Sequence, residues 1–114
     1  MRFKDKIYGD VGVLSLKGKL MGVPETDDLH DEVRSMLGQG IKKIVLDLDG
    51  VKWINSLGIG AIMRSHTTVS NNGGKFCLSR IADKVQSVLV ITQLINIFET
   101  FSSNDEAIES MKNR

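Results

Sequence analysis

Apolar positions along this chain change their period several times, and each change marks an element. Residues 3–8 and 11–16 place apolar side chains at near-alternate positions, with Gly9-Asp10 between them. Alternation predicts two strands, and the glycine-containing joint predicts a β-hairpin. Gly22-Val23-Pro24 interrupts the pattern, because proline biases the residue before it away from helix. From about Glu25 the period lengthens. Leu29, Val33, Met36 and Leu37 fall at i, i+4, i+7 and i+8, one apolar helix face that Gly38 and Gly40 should terminate. Residues 41–48 form a β-branched and leucine-rich run, apolar on both faces at its centre, which predicts a buried parallel strand.

A short loop is expected next. The second helix begins near Ser56 and shows Ile59, Ile62, Met63, His66 and Val69 on one side. Asn71-Asn72-Gly73-Gly74 ends it, and Phe76-Cys77-Leu78 reads as a strand. A third helix from about Ala82 turns Val85, Val88 and Leu89 inward, and residues 95–98 are expected to be a short final strand. Residues 105–111 close the chain as a helix capped by Asn104 or Ser103. After the hairpin, helix and strand alternate, which implies right-handed crossovers. The predicted fold class is therefore α/β: a mixed, mostly parallel sheet of about five strands opened by a β-hairpin, with about four helices. All of it falls in one domain over residues 1–114.

Composition narrows the function classes. Fifteen basic against fourteen acidic residues leave a formal charge of +1. Neither a nucleic-acid surface nor membrane insertion is expected, since the Lys17–Lys19 and Lys42-Lys43 groups look too small to form a basic field. The single cysteine, Cys77, makes no internal disulfide and belongs to no metal-ligand cluster. No apolar run approaches the ~20 residues of a membrane span, and the charged opening, residues 1–6, has no signal-peptide core behind it. A soluble, unprocessed, cytoplasmic domain is the expectation.

The candidate chemistry gathers at one junction. Ser56 falls where an apolar strand gives way to a helix, and Gly58 and Gly60 follow in the first turn. One reading is an N-cap, in which Asn55 or Ser56 accepts a hydrogen bond from a free first-turn amide. The other is a phosphoacceptor, whose phosphate would meet unpaired amides and the positive end of the helix dipole. The two glycines would keep the surrounding surface flat for a partner. Elsewhere the residues suggest scaffold. Asp47 and Asp49 lie two apart on a strand, but no base or metal stands by to make them a catalytic dyad. His30 and His66 lack ligand-spaced partners. Gly73-Gly74 is a turn without a nucleotide-binding glycine motif around it. Trp53 and residues 88–98 read mainly as core, any exposed remainder marking a partner site. Neither an enzyme nor a cofactor is indicated.

The stretch Asp47-Leu48-Asp49-Gly50-Val51-Lys52-Trp53-Ile54-Asn55-Ser56-Leu57-Gly58-Ile59-Gly60 resembles the signature of the STAS family of bacterial anti-sigma-factor antagonists. The likeness extends over about residues 7–111, through the segment Leu16-Lys17-Gly18-Lys19-Leu20, the Gly73-Gly74 turn, and the last strand and helix. It implies a partner switch. The unphosphorylated antagonist binds an anti-sigma factor that is also a serine kinase, so that the sigma factor is freed. Phosphorylation of the serine, here Ser56, separates the complex, and a PP2C-type phosphatase resets it. The implied partner surface comprises Asn55, Ser56, Leu57, Gly58, Gly60, Met21 and Gly22. Asn55 stands where aspartate is commoner, Leu57 where a small or hydroxylated residue is usual, and residues 21–24 lack a frequent acidic residue. Asn55 and Leu57 are the support for an alternative to the leading switch: a non-switching STAS scaffold, or a soluble transport-system subunit that binds partners without phosphorylation. The residues select neither monomer nor dimer.

Overall fold

The computed structural model describes residues 1–114. The opening hairpin joins β1 (Arg2–Tyr8) to β2 (Val11–Leu20), with Gly9 at φ +65 supplying the left-handed backbone of the turn. Then follow α1 (Glu25–Gly38), β3 (Lys43–Ile54), α2 (Ser56–Asn71), β4 (Lys75–Ser79), α3 (Asp83–Ile91), β5 (Glu99–Phe101) and α4 (Asn104–Lys112). The five strands lie in the order β1-β2-β3-β4-β5. β1 runs antiparallel to β2 and every later pair is parallel, so the mixed sheet and its opening hairpin are as expected. No helix is long and apolar enough to cross a membrane.

Side-chain alternation along the central strands divides the core in two. Ile44, Leu46, Leu48, Phe76 and Leu78 face one side with Leu14 and Leu16. Leu29, Val33 and Met36 of α1, Ile59, Ile62 and Val69 of α2, and Val85 and Leu89 of α3 cover them. Each such side chain contributes roughly 1.5–3 kcal/mol when fully buried. Val11, Val13, Val45 and Cys77 point to the other side, where Ala107, Ile108 and Met111 of α4 cover them. Burial beneath that helix pushes the Cys77 thiol up to about 12, so it stays neutral and packs as a small apolar group. His66 sits edge-on to both Phe76 and Phe98, at the rim of the larger core.

Three expectations fail for definable reasons. β3 does not stop at residue 48 but continues to Ile54, so the supposed loop before Ser56 is strand. It stays paired to β2 by slipping register twice, between Ser15 and Lys17 and between Gly18 and Lys19. Gly50 permits this, because a Cβ there would overlap the Leu16 carbonyl oxygen and lie 2.9 Å from Lys17 Cα. The last strand is not residues 95–98 but Glu99–Phe101, preceded by a 3-10 turn over Leu94–Asn96. Leu94, Ile95 and Phe98 close the core instead, leaving a short, polar edge strand. Trp53, expected in the core, is 52% exposed: the two slips cancel in parity, so it shares the face of Val45 but lies outside the cluster that α4 covers.

Candidate functional site

The junction of β3 and α2 owes its shape to Asn55. Its extended backbone sets the N-cap, and its Oδ1 accepts from Leu57 N (3.0 Å) and Gly58 N (3.1 Å). Its Nδ2 donates to the Met21 carbonyl (2.9 Å), tying the end of β2 to the start of α2. Only an asparagine both caps and clamps here, since an aspartate would turn a second acceptor towards that carbonyl. Asn55→Ala should lower stability by about 1–2 kcal/mol through loss of the cap. Asn55→Asp should stay within about 1 kcal/mol of wild type while amide exchange rises across residues 21–24. Denaturant titration with hydrogen exchange reads both, and unchanged exchange in Asn55→Asp would remove any role for the clamp.

Ser56 is the first residue of α2 and is exposed. Two of the amides expected to meet its phosphate are already taken by Asn55, so those of Leu57 and Gly58 are not free. The helix dipole still favours negative charge at this end, by ~0.3–1 kcal/mol. Asn55 is thus the cap, and the Ser56 hydroxyl is left outside it.

Most of the remaining candidate residues come together around this hydroxyl. Leu57 is 61% and Met21 43% exposed. Gly22, at φ +153, brings the loop against α2: a Cβ there would lie 3.5 Å from Leu57 Cδ1. Gly60 is exposed, with open space where a Cβ would stand. Gly58 is different. It is buried, and a Cβ would overlap the Leu20 carbonyl oxygen and lie 2.7 Å from Ile54 Cγ1. It seats the helix on the sheet, beneath the exposed surface. Of the two glycines, Gly60 alone is exposed.

Val23, Asp27 and Arg64 complete the patch and were not among the expected residues. Val23 is exposed, and Arg64 Nη2 lies 3.3 Å from Asp27 Oδ1 and donates to the Thr26 carbonyl at 3.3 Å. With Gly22, Leu57 and Gly60 they line a shallow groove of about 340 Å³ between α1 and α2. Leu57, Gly60 and Arg64 stand at i, i+3 and i+7, and this helical spacing is the sequence signal that could have found Arg64. The groove is apolar at Val23 and Leu57, the latter next to Ser56 in the chain, and carries the Arg64–Asp27 ion pair, which suits protein recognition.

The Asp47–Asp49 pair is engaged elsewhere. Asp47 is buried, and its Oδ2 accepts from Ser15 Oγ (3.1 Å), Asn104 Nδ2 (3.0 Å) and Arg80 Nη1 (3.3 Å). Its Oδ1 accepts from Asp49 N (3.0 Å), and Arg80 Nη2 reaches Asp49 Oδ2 at 2.9 Å. Such a network joins β2, β3 and α4 and leaves neither carboxylate positioned as a base. No three His, Cys, Asp or Glu side chains gather as a metal site would require. His30 Nε2 pairs with Thr68 Oγ1 at 2.9 Å, and burial, then Arg64 and Arg34, lower its pKa.

Comparison with known proteins places this chain in a family. The model of the STAS domain matches residues 2–107. A protein of Thermotoga neapolitana named as a candidate anti-sigma factor antagonist is 36% identical over 78 residues, 68% of this chain and 69% of that one. The crystal structure of a candidate anti-sigma factor antagonist from Thermotoga maritima superposes with a TM-score of 0.84 at 31% identity, covering 96% of this chain and 94% of that one. The anti-sigma factor antagonist SpoIIAA in its unphosphorylated form gives 0.81 over 99% of this chain and 98% of its own, and at 16% identity shows the fold alone. With the family model spanning nearly its whole length and relatives above 30% identity, the chain belongs to the STAS domain family, alongside bacterial anti-sigma factor antagonists.

Proposed function

We propose that this protein is an anti-sigma factor antagonist whose unphosphorylated form binds an anti-sigma factor with serine kinase activity, and that phosphorylation of Ser56 ends the interaction. The observation that carries this reading is an exposed serine hydroxyl at the positive end of α2, outside the Asn55 cap and beside exposed Leu57 and Met21. A phosphate there adds about −1.5 to −2 charge. The helix end tolerates that charge, whereas an apolar interface closing over it meets the cost of burying an unpaired anion. A PP2C-type phosphatase would restore the binding form. SpoIIAA, which shares the fold, is itself a protein whose structure is known in a phosphorylated form.

Incubation with ATP and the partner kinase, followed by peptide mass spectrometry, tests the proposal. One phosphate on Ser56, absent from Ser56→Ala, is the expected result. Modification at another residue would contradict it. A stable complex with Ser56 never modified would instead favour a scaffold that binds without switching.

A further inference from the structure

We propose that the sheet face beside α4 holds a second docking site, a basic groove for an extended acidic segment of a partner protein, with Trp53 as its aromatic wall. α4 covers only part of that face, over Val11, Val13, Val45 and Cys77. Beyond it lie two hollows of about 590 and 620 Å³ that share Lys17, Asp49 and Gly50. Six cations line them, Arg2, Lys4, Lys17, Lys19, Lys52 and Arg80, against the two carboxylates Asp47 and Asp49. Arg80 neutralises both carboxylates, from a residue held at φ +52. The other five have no ion-pair partner in the molecule.

Register assembles this field from separate parts of the chain. Arg2 stands directly opposite Lys17 across β1 and β2, and Lys19 opposite Trp53 across β2 and β3. Like charges facing each other on a sheet are destabilising, and no internal carboxylate relieves Arg2 and Lys17. The near-neutral total of +1 conceals the separation. Much of the balancing charge is on α1, at Glu25, Asp27, Asp28, Asp31 and Glu32, and that helix packs on the opposite face of the sheet. Lys84 Nζ lies 4.5 Å from the centroid of the half-exposed Trp53 ring, so the aromatic wall is itself flanked by a cation.

The shape favours an acidic polypeptide over other polyanions. A duplex carries a charge every ~1.7 Å of its axis and would lay phosphates over Asp47 and Asp49 as well as over the lysines. A flat bilayer surface does not enter a hollow floored by the sheet. An extended chain with acidic side chains at every second residue matches Lys17 and Lys19, which are also two residues apart along a strand. Such a surface would steer association and set partner specificity. It does not depend on the Ser56 reading.

Trp53 is the single tryptophan, so intrinsic fluorescence reads the groove directly. The probe is a blocked, tryptophan-free peptide of alternating Glu and Ser, titrated at low and at physiological salt. A saturable change that weakens with salt is expected. The double variant Lys17→Glu, Lys19→Glu should bind about tenfold or more weakly, while Lys42→Glu, on another part of the surface, should match wild type. Circular dichroism should show both variants folded, since the replaced side chains are exposed. No saturable response, equal binding by the double variant, or tighter salt-sensitive binding to duplex DNA or phosphatidylserine vesicles than to the peptide would overturn the proposal.

Discussion

Gly58→Ala should destabilise the protein by about 3 kcal/mol or more, although alanine is the better helix former by ~1 kcal/mol. The reversal of sign comes from one contact. A methyl group on Gly58 would overlap the Leu20 carbonyl oxygen and stand 2.7 Å from Ile54 Cγ1. A carbonyl at the end of a paired strand cannot yield as a side-chain tip can, so the first turn of α2 would have to lift from the sheet. Lifting it loosens the packing of Ile59 and Ile62, both buried in the larger core. Against a typical total of 5–15 kcal/mol, this is a large fraction of the stability. Gly60→Ala is the matched control. Nothing lies within 4 Å of its Cβ position, so it should gain ~0.5–1 kcal/mol. Urea titration of the two variants separates the roles, and equal stability of Gly58→Ala and wild type would refute the close approach of α2 to Leu20.

Much of the fold was legible because its signals are local. The Gly9-Asp10 joint, the stripe Leu29-Val33-Met36 and the doubly buried run around Ile44–Leu46 each declare an element within a few residues. Asn55 was legible as a cap for the same reason. Gly58 was misjudged because a glycine in a first turn does not reveal which way the helix faces. Its spacing from Ala61, Ile62, Ser65 and Val69, all buried, holds that information. The end of β3 was hidden by its slipped register. The two slips cancel in parity, so Trp53 keeps the face of Val45, and it is exposed because α4 covers Val11, Val13, Val45 and Cys77 but not Trp53. The basic groove was invisible for a different reason, since Lys17 and Lys19 meet Lys52 only through the long-range pairing of β2 with β3.

Ser56 phosphorylation should have the largest effect on binding while leaving the fold intact. An acidic group at the first position of α2 interacts favourably with the helix dipole, so stability should stay within about 1 kcal/mol of the unmodified protein. The interface responds differently. Leu57 and Met21 offer apolar surface, and a doubly charged phosphate closed against it loses water without gaining a partner. A penalty of ~3 kcal/mol corresponds to roughly a hundredfold loss of affinity. Arg64 is the cation on this face, but Asp27 and the Thr26 carbonyl already engage it. Ser56→Asp carries half the charge and a shorter reach, so it should weaken binding by only about tenfold. Ser56→Ala should bind as wild type does and ignore ATP.

The most direct test is calorimetric titration of the anti-sigma factor with unmodified protein and with protein fully phosphorylated on Ser56. Thermal unfolding of both forms should be recorded in the same buffer. An affinity loss of roughly a hundredfold with unchanged unfolding is the expected result. Equal affinities, or a loss matched by unfolding of the phosphorylated form, would contradict a switch that acts through charge at this helix end.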